Sequence, residues 1–167
     1  MRNGRSPGPP PGAGLRTALA AHRSLRGVQV SAGIQSAQGT ERDPESGATL
    51  VEIAAKNEFG DDGPPPIPSR PWLRTALQTN ARKWQRLAGD VVKAARTPEG
   101  AEPALRTLGV VMVGDCKESL LDGDWTPNAP LTIERKGSDQ PLVDTGRLNQ
   151  SQRAQVAIPG KVAYLLG

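Results

Sequence analysis

The sequence predicts an α+β fold: a small antiparallel sheet with two longer helices packed on it, a disordered or extended N-terminal tail, and long Pro-rich loops. Three observations carry this expectation. Between residues 71 and 122, two stretches hold apolar residues at helical spacing. Toward the two ends, "VQVSAGI" alternates apolar and polar residues, and "AQVAI" and "KVAYLL" flank a Pro-Gly pair, so strands are expected there. With 19 glycines and 16 prolines in 167 residues, much of the chain is left to loops and turns.

The elements follow in order. Residues 1–14 are rich in Gly, Pro and Arg and cannot bury enough surface to offset their ordering, so a flexible basic tail is expected there. Residues 15–167 form a single domain. Arg2, Arg5, Arg16, Arg23 and Arg26 all precede the first acidic residue, Glu41. Two readings of this asymmetry stay open: a solvated basic tail, or one ordered by DNA or a partner protein. "LRTALAAHRSLRG" reads as a short helix with Leu15, Leu19, His22 and Leu25 on one face and Gly27 as its stop; His22 is then a packing residue. Val28, Val30 and Ala32 mark a half-buried strand. Thr49 and Glu52 form a capping box opening a helix that Gly60 ends. "DDGPPPIPSRP" reads as a stiff, extended connector, and Pro71 can open the longest helix.

That helix carries an expected apolar stripe of Leu73, Leu77, Trp84, Ala88, Val91 and Ala95. Arg74, Gln78, Arg82, Lys93 and Arg96 lie opposite. Pro103 opens a second helix with Leu105, Leu108, Met112, Cys116 and Leu120 inward. Gly109 and Gly114 weaken it by about 1 kcal/mol each, or else let helices approach closely. After an irregular stretch with short helical pieces, Pro159-Gly160 suits the centre of a type II turn in a terminal β-hairpin.

Composition narrows the chemistry. Aromatic residues are 3% and hydrophobic residues 36%, so a core must come from Leu, Val and Ala. One cysteine, Cys116, allows no intramolecular disulfide, and it reads as an inert core thiol. One histidine closes off His-based metal sites and most triads. No cofactor or metal is expected. No apolar run approaches the roughly 18 residues of a membrane span, and the N-terminus lacks the apolar core of a secretory signal. A soluble protein of a reducing cytoplasm is expected, and its net charge of +4 permits contact with nucleic acid or an acidic partner.

One hexapeptide could carry catalysis. "PLVDTG", residues 141–146, reads like the active-site strand of a retroviral-type aspartic protease. Such a site pairs two loops so that one Asp stays protonated beside its ionised twin. A homodimer could supply the pair from Asp144 alone, but little chain follows Gly146 to build a flap and further core strands. Arg147 also stands where a small residue is expected. The structural reading is that Asp144 caps a short helix beginning near Leu148, with Gly146 relieving its first turn.

In order along the chain, "VQVSAGI", "IAAKNEFG", "IPSRPWLR" and "APLTIERKGSDQPLVDTGRL" precede a hairpin. This succession resembles the virion-morphogenesis proteins of tailed phages, the Mu-type morphogenesis protein and the related tail-component family of lambdoid phages. The resemblance covers roughly residues 15–167. The Gly-Pro-Arg N-terminus and the Pro-rich connector depart from it. It implies a non-enzymatic structural subunit, a ring at the head–tail junction (neck) or the head-proximal end of the tail, that completes head–tail joining. The implied partners are copies of itself (hexamer first, dodecamer second), neighbouring neck and tail proteins, and transiting DNA; no membrane is implied. The implied location is the virion, assembled in the host cytoplasm.

By the same resemblance, Phe59, Gly60, Pro68, Arg70, Pro71, Trp72, Asp144, Thr145, Gly146 and Leu148 serve folding and ring contacts. Arg2, Arg5, Arg16, Arg82 and Arg96 are candidates for DNA or partner contact. The alternative function is a basic DNA-binding structural protein, and the remote one is the aspartic protease.

Overall fold

The computed structural model describes residues 13–97 and 99–167. Most of the expected tail, with Arg2 and Arg5, lies outside the described residues. Ala13 and Gly14 already belong to the first helix, α1 (Ala13–Ser24). The fold is α+β, as expected. Strand β1 (Gln29–Ile34) pairs antiparallel with β2 (Gln152–Ala157), which pairs antiparallel with β3 (Tyr164–Leu166), in the order β1-β2-β3. The register sets Val30 opposite Val156, Ala32 opposite Ala154 and Ile34 opposite Gln152. Residues opposite one another share a face. Gln152, Ala154 and Val156 are therefore buried on the side where Val30, Ala32 and Ile34 pack, while Gln29 and Ser31 are exposed. The turn closes from Lys161 N–H to the Ile158 carbonyl (3.0 Å), with Gly160 at φ +79°, the left-handed conformation a type II turn requires.

Helix α5 (Glu102–Asp122) lies across the buried face of the sheet. Its stripe is as expected, with Leu105, Leu108, Cys116 and Leu120 buried. Gly109 is the point of closest approach, and its neighbour is the sheet and not another helix. A Cβ there would stand 3.1 Å from the Ala154 Cβ and 3.2 Å from the Leu166 Cδ1, whereas one at Gly114 would meet nothing within 4 Å. The two glycines therefore predict opposite outcomes. Gly109→Ala is expected to lower stability through overpacking, by about 1–3 kcal/mol. Gly114→Ala is expected to raise it by up to about 1 kcal/mol through helix propensity. Urea unfolding of the two single variants checks both signs.

Helix α4 (Trp72–Ala94) pairs with α5 as a helical hairpin. Its inward side is rotated from the expected stripe. Trp72, Ala76 and Val91 are buried, whereas Leu77 is 53% exposed and Ala88 is also exposed. Trp84 turns inward, and its Nε1 donates to Asp115 Oδ2 on α5 (2.6 Å). Lys83 Nζ reaches Oδ1 of the same buried carboxylate at 2.5 Å. These two contacts fix the helix rotation, because a buried carboxylate must find donors, and both donors sit on one turn of α4.

Further expectations change on the small helices. Helix α1 turns Ala18 and Ala21 toward the body, as does Leu25 just past its end, so His22 is exposed and not a packing residue, and Leu15 and Leu19 stand out at 67% and 47% exposure. Helix α2 (Ser36–Gly39) interrupts the polar loop after β1. Helix α3 (Leu50–Phe59) opens with the expected capping box: Glu52 N–H donates to Thr49 Oγ1, and Thr49 N–H donates to Glu52 Oε2 at 2.7 Å. The connector is not extended. Asp61 and Ile67 exchange both backbone hydrogen bonds (2.9 and 2.8 Å), so the proline run folds back as a tight loop.

Two more short helices, α6 (Pro130–Lys136) and α7 (Arg147–Gln150), occupy the stretch before β2. Asp144 does not cap α7. Gly146 takes the N-cap position at φ +75° with no side-chain cap, and Asp144 is exposed two residues earlier. A left-handed Gly at that corner swings the preceding chain away from the helix axis, so the carboxylate is not carried to the first-turn N–H groups.

Candidate functional site

One block of motif residues, Phe59 to Trp72, lies at one junction, where α3 ends and α4 begins. α4 starts behind Pro71, which offers no side-chain cap. Its first-turn N–H groups are satisfied from outside the helix by Glu58, the penultimate residue of α3. The Glu58 carboxylate is 4% exposed and accepts from Leu73 N–H (3.0 Å), Arg74 N–H (3.1 Å) and Arg74 Nε (3.0 Å). A carboxylate suits the positive end of a helix, and charge-assisted bonds are the stronger kind. The Glu58 carbonyl in turn accepts from Ser69 Oγ (2.9 Å) and Arg74 Nη2 (2.6 Å).

Arg70 performs the converse task. Its guanidinium is buried without a carboxylate partner. Nε donates to the Thr126 carbonyl (2.9 Å), and Nη2 donates to the Pro127 carbonyl (3.2 Å) and Asn128 Oδ1 (3.3 Å). Burial lowers its pKa from the usual value. A planar fork of five donors can satisfy several carbonyls of an irregular loop at once. Asn128 extends the chain of bonds to the carbonyls of Asp139 and Gln140, both at 3.2 Å. The segment 126–140 is thereby tied to α4.

Beneath this network lies an apolar cluster: Ala54, Trp72, Ala76, Cys116, Leu120 and Leu148, with Leu142 and Val143 packed against it. Trp72 and Leu120 are fully buried. Two blocks distant in sequence, around Pro68–Trp72 and around Leu142–Leu148, therefore share one core. Of the ten expected residues, Arg70, Trp72 and Leu148 are buried, and Gly60, Pro71 and Gly146 are half-buried. Phe59, Pro68, Asp144 and Thr145 are exposed. Gly60 is at φ +83°, and a Cβ there would lie 3.1 Å from the Ile67 carbonyl oxygen. Phe59 is 68% exposed, with the Arg74 guanidinium 5.1 Å from its ring centre. It borders an open groove of about 440 Å³ lined also by Asp61, Asp62, Pro66, Ile67 and Pro68.

"PLVDTG" forms turns and bends and no strand, so Asp144 is not carried at the end of a strand as the protease pattern requires. Arg147, too large for that pattern, reaches back across the chain. Its Nη1 donates to the Arg42 carbonyl (3.2 Å), and its Nη2 stands 3.4 Å from Glu41 Oε2. Among the described residues, no group of three His, Cys, Asp or Glu side chains is placed to hold a metal ion, and no helix is long and apolar enough to cross a membrane.

Cys116 is buried, as expected for a core thiol. Burial, aided by the Asp115 and Glu58 carboxylates, pushes the thiol from an ordinary 9.0 up to about 11. The unfolded thiol ionises first, so this contribution to stability is full below pH 9 and is lost as pH rises through about 11. Cys116→Ser, whose hydroxyl does not titrate in that window, is expected to flatten the decline in stability between those pH values. Urea midpoints of both proteins across the window measure it.

A second surface lies at the other end of the hairpin. Leu25, Val28, Val30, Ala88, Val91, Leu105 and Leu108 line an open groove of about 270 Å³. Every lining residue is apolar. The exposed Leu15 and Leu19 of α1 do not fill it. Sequence reasoning missed this groove, along with Glu58 and Asp115. Glu58 caps a helix 15 residues away, and Asp115 meets its partners at separations of 31 and 32, so no short-range pattern announces either. No protein-family model matches the chain, and neither the curated proteins nor the solved structures yielded a match.

Proposed function

We propose that this chain is a structural virion subunit of a tailed phage. It forms a ring at the neck or the head-proximal end of the tail and completes head–tail joining. One observation carries the reading. The chain bears an apolar ridge, Leu15 and Leu19 on α1, and an apolar groove elsewhere, from Leu25 to Leu108, and neither fills the other within one copy. A ridge and a groove at different places on one chain form a heterologous pair, and such pairs generate rings when the rotation closes. The occupant of the groove is α1 of the next copy.

The resemblance to tailed-phage morphogenesis proteins supports the same role. So does the packing of its motif blocks on one core, with Phe59 left facing outward. The chemistry is that of a scaffold: charges at the junction are spent on capping and on loop carbonyls.

The test is light scattering with negative-stain images of the same fraction, for the native chain and for Leu15→Asp/Leu19→Asp. A closed ring, hexamer first, that falls to smaller species in the variant is the expected result. A ring that survives the variant removes α1 from the contact. If the native chain is monomeric, deletion in the parent phage decides the role: DNA-filled heads lacking tails support it, and normal virions sink it.

A further inference from the structure

We infer that the outward face of α4 is a contact surface for the phosphate backbone of duplex nucleic acid. Opposite the buried side of this helix, Gln78, Arg82, Gln85, Arg86 and Lys93 are exposed, and Arg96 follows just past its last turn. At about 100° per residue, the four cations fall within about 80° of arc. The helix has a single acidic residue, Asp90, which pairs with Lys93 at 2.8 Å.

The other cations of this helix have internal work. Arg74 is bound to Glu58 and Lys83 to Asp115. Arg82, Arg86 and Arg96 make no ion pair among the described residues. Lys93 and Arg96 at the C-terminal end complement the helix dipole, so folding alone accounts for them. Arg82 and Arg86 sit in mid-helix as a like-charge pair at i,i+4, which disfavours the helix. Nothing in the fold uses them, and a polyanion would.

The geometry selects the kind of polyanion. From Arg82 to Arg96 the face runs about 21 Å at 1.5 Å per residue. That length covers about six phosphates of one duplex strand at about 3.4 Å per charge. The face carries no aromatic side chain, since Trp84 turns inward onto Asp115. It therefore lacks the stacking platform that single strands use. Gln78 and Gln85 add neutral donors to phosphate oxygens, and no base-reading element accompanies them, so binding is independent of sequence.

The inference stands on the helix face and not on the ring proposed above, because binding is read on whatever species the purified chain forms. The experiment is fluorescence anisotropy with a short labelled duplex of mixed sequence, titrated from about 50 to 200 mM salt. The native chain is expected to bind with a steep salt slope. Arg82→Gln/Arg86→Gln/Arg96→Gln, all at exposed positions, is expected to flatten that slope by about 0.9 per lost contact and to weaken binding at low salt. Arg42→Gln/Arg135→Gln/Lys161→Gln removes the same charge at exposed positions away from α4 and is expected to keep the slope. Equal losses in the two variants mean that net charge alone attracts the duplex, which overturns the assignment. Absence of binding by the native chain at low salt overturns it too. Circular dichroism confirms that both variants are folded.

Discussion

Trp72→Ala is expected to destabilise the protein by about 3–5 kcal/mol, the range for removing a large aromatic from a closed core. Trp72 is 0% exposed, and its neighbours come from four places in the chain: Ala54, Ala76, the α5 pair Cys116 and Leu120, and Leu148. Such a site cannot collapse easily, because its walls belong to elements pinned elsewhere. Ser119 Oγ, for one, holds the Trp72 carbonyl at 2.8 Å. Trp72→Phe should cost much less. The indole Nε1 is buried without a partner, so the smaller ring removes an unsatisfied donor while keeping most of the volume. Urea unfolding gives both values. Equal costs for Ala and Phe would mean that the site is not the closed core described.

The second large effect is expected at Glu58. Glu58→Ala removes the side-chain cap of α4 and leaves its donors inside the junction, at a cost of about 3 kcal/mol. Arg74 is half exposed, and its ion pair therefore contributes little of this. Most of the loss comes from the Leu73 and Arg74 N–H groups. Glu58→Gln keeps one acceptor oxygen and should lose about half as much. Hydrogen exchange localises the effect: faster exchange at the first turn of α4, with α5 unchanged until global unfolding, is expected. Uniform acceleration across both helices would show that Glu58 acts on the whole core and not as a cap.

What the sequence made legible was local. β1, the capping box at Thr49, the buried stripe of α5 and the terminal turn each depend on residues within a few positions of one another, and the structure has all of them. The rotation of α4 was not legible. Its Leu and Ala residues allow more than one inward side, and the choice is made by Lys83 and Trp84 reaching Asp115 on another helix. The connector closed on itself because Asp61 and Ile67 pair their backbones, which proline content alone does not indicate. Asp144 misled as a cap because the left-handed turn at Gly146 redirects the chain. At the junction, Gly60 and Pro71 were visible as punctuation. The reason for them, Glu58 capping α4 and Arg70 holding three loop acceptors, lies in contacts between segments far apart in the chain.

The register of the sheet has a consequence for how the protein is made. β1 leaves the ribosome more than a hundred residues before its ladder partner, β2 (from Gln29–Ile34 to Gln152–Ala157). The α4–α5 hairpin is local and can form while translation continues, since helices and short-range helix pairs assemble quickly and distant strand pairing slowly. Until β2 is made, the nascent chain therefore holds a formed helical hairpin beside an unpaired strand edge. Such an edge is where nascent chains recruit chaperones or one another. Truncated chains that stop before β2 should be aggregation-prone even though both long helices are intact.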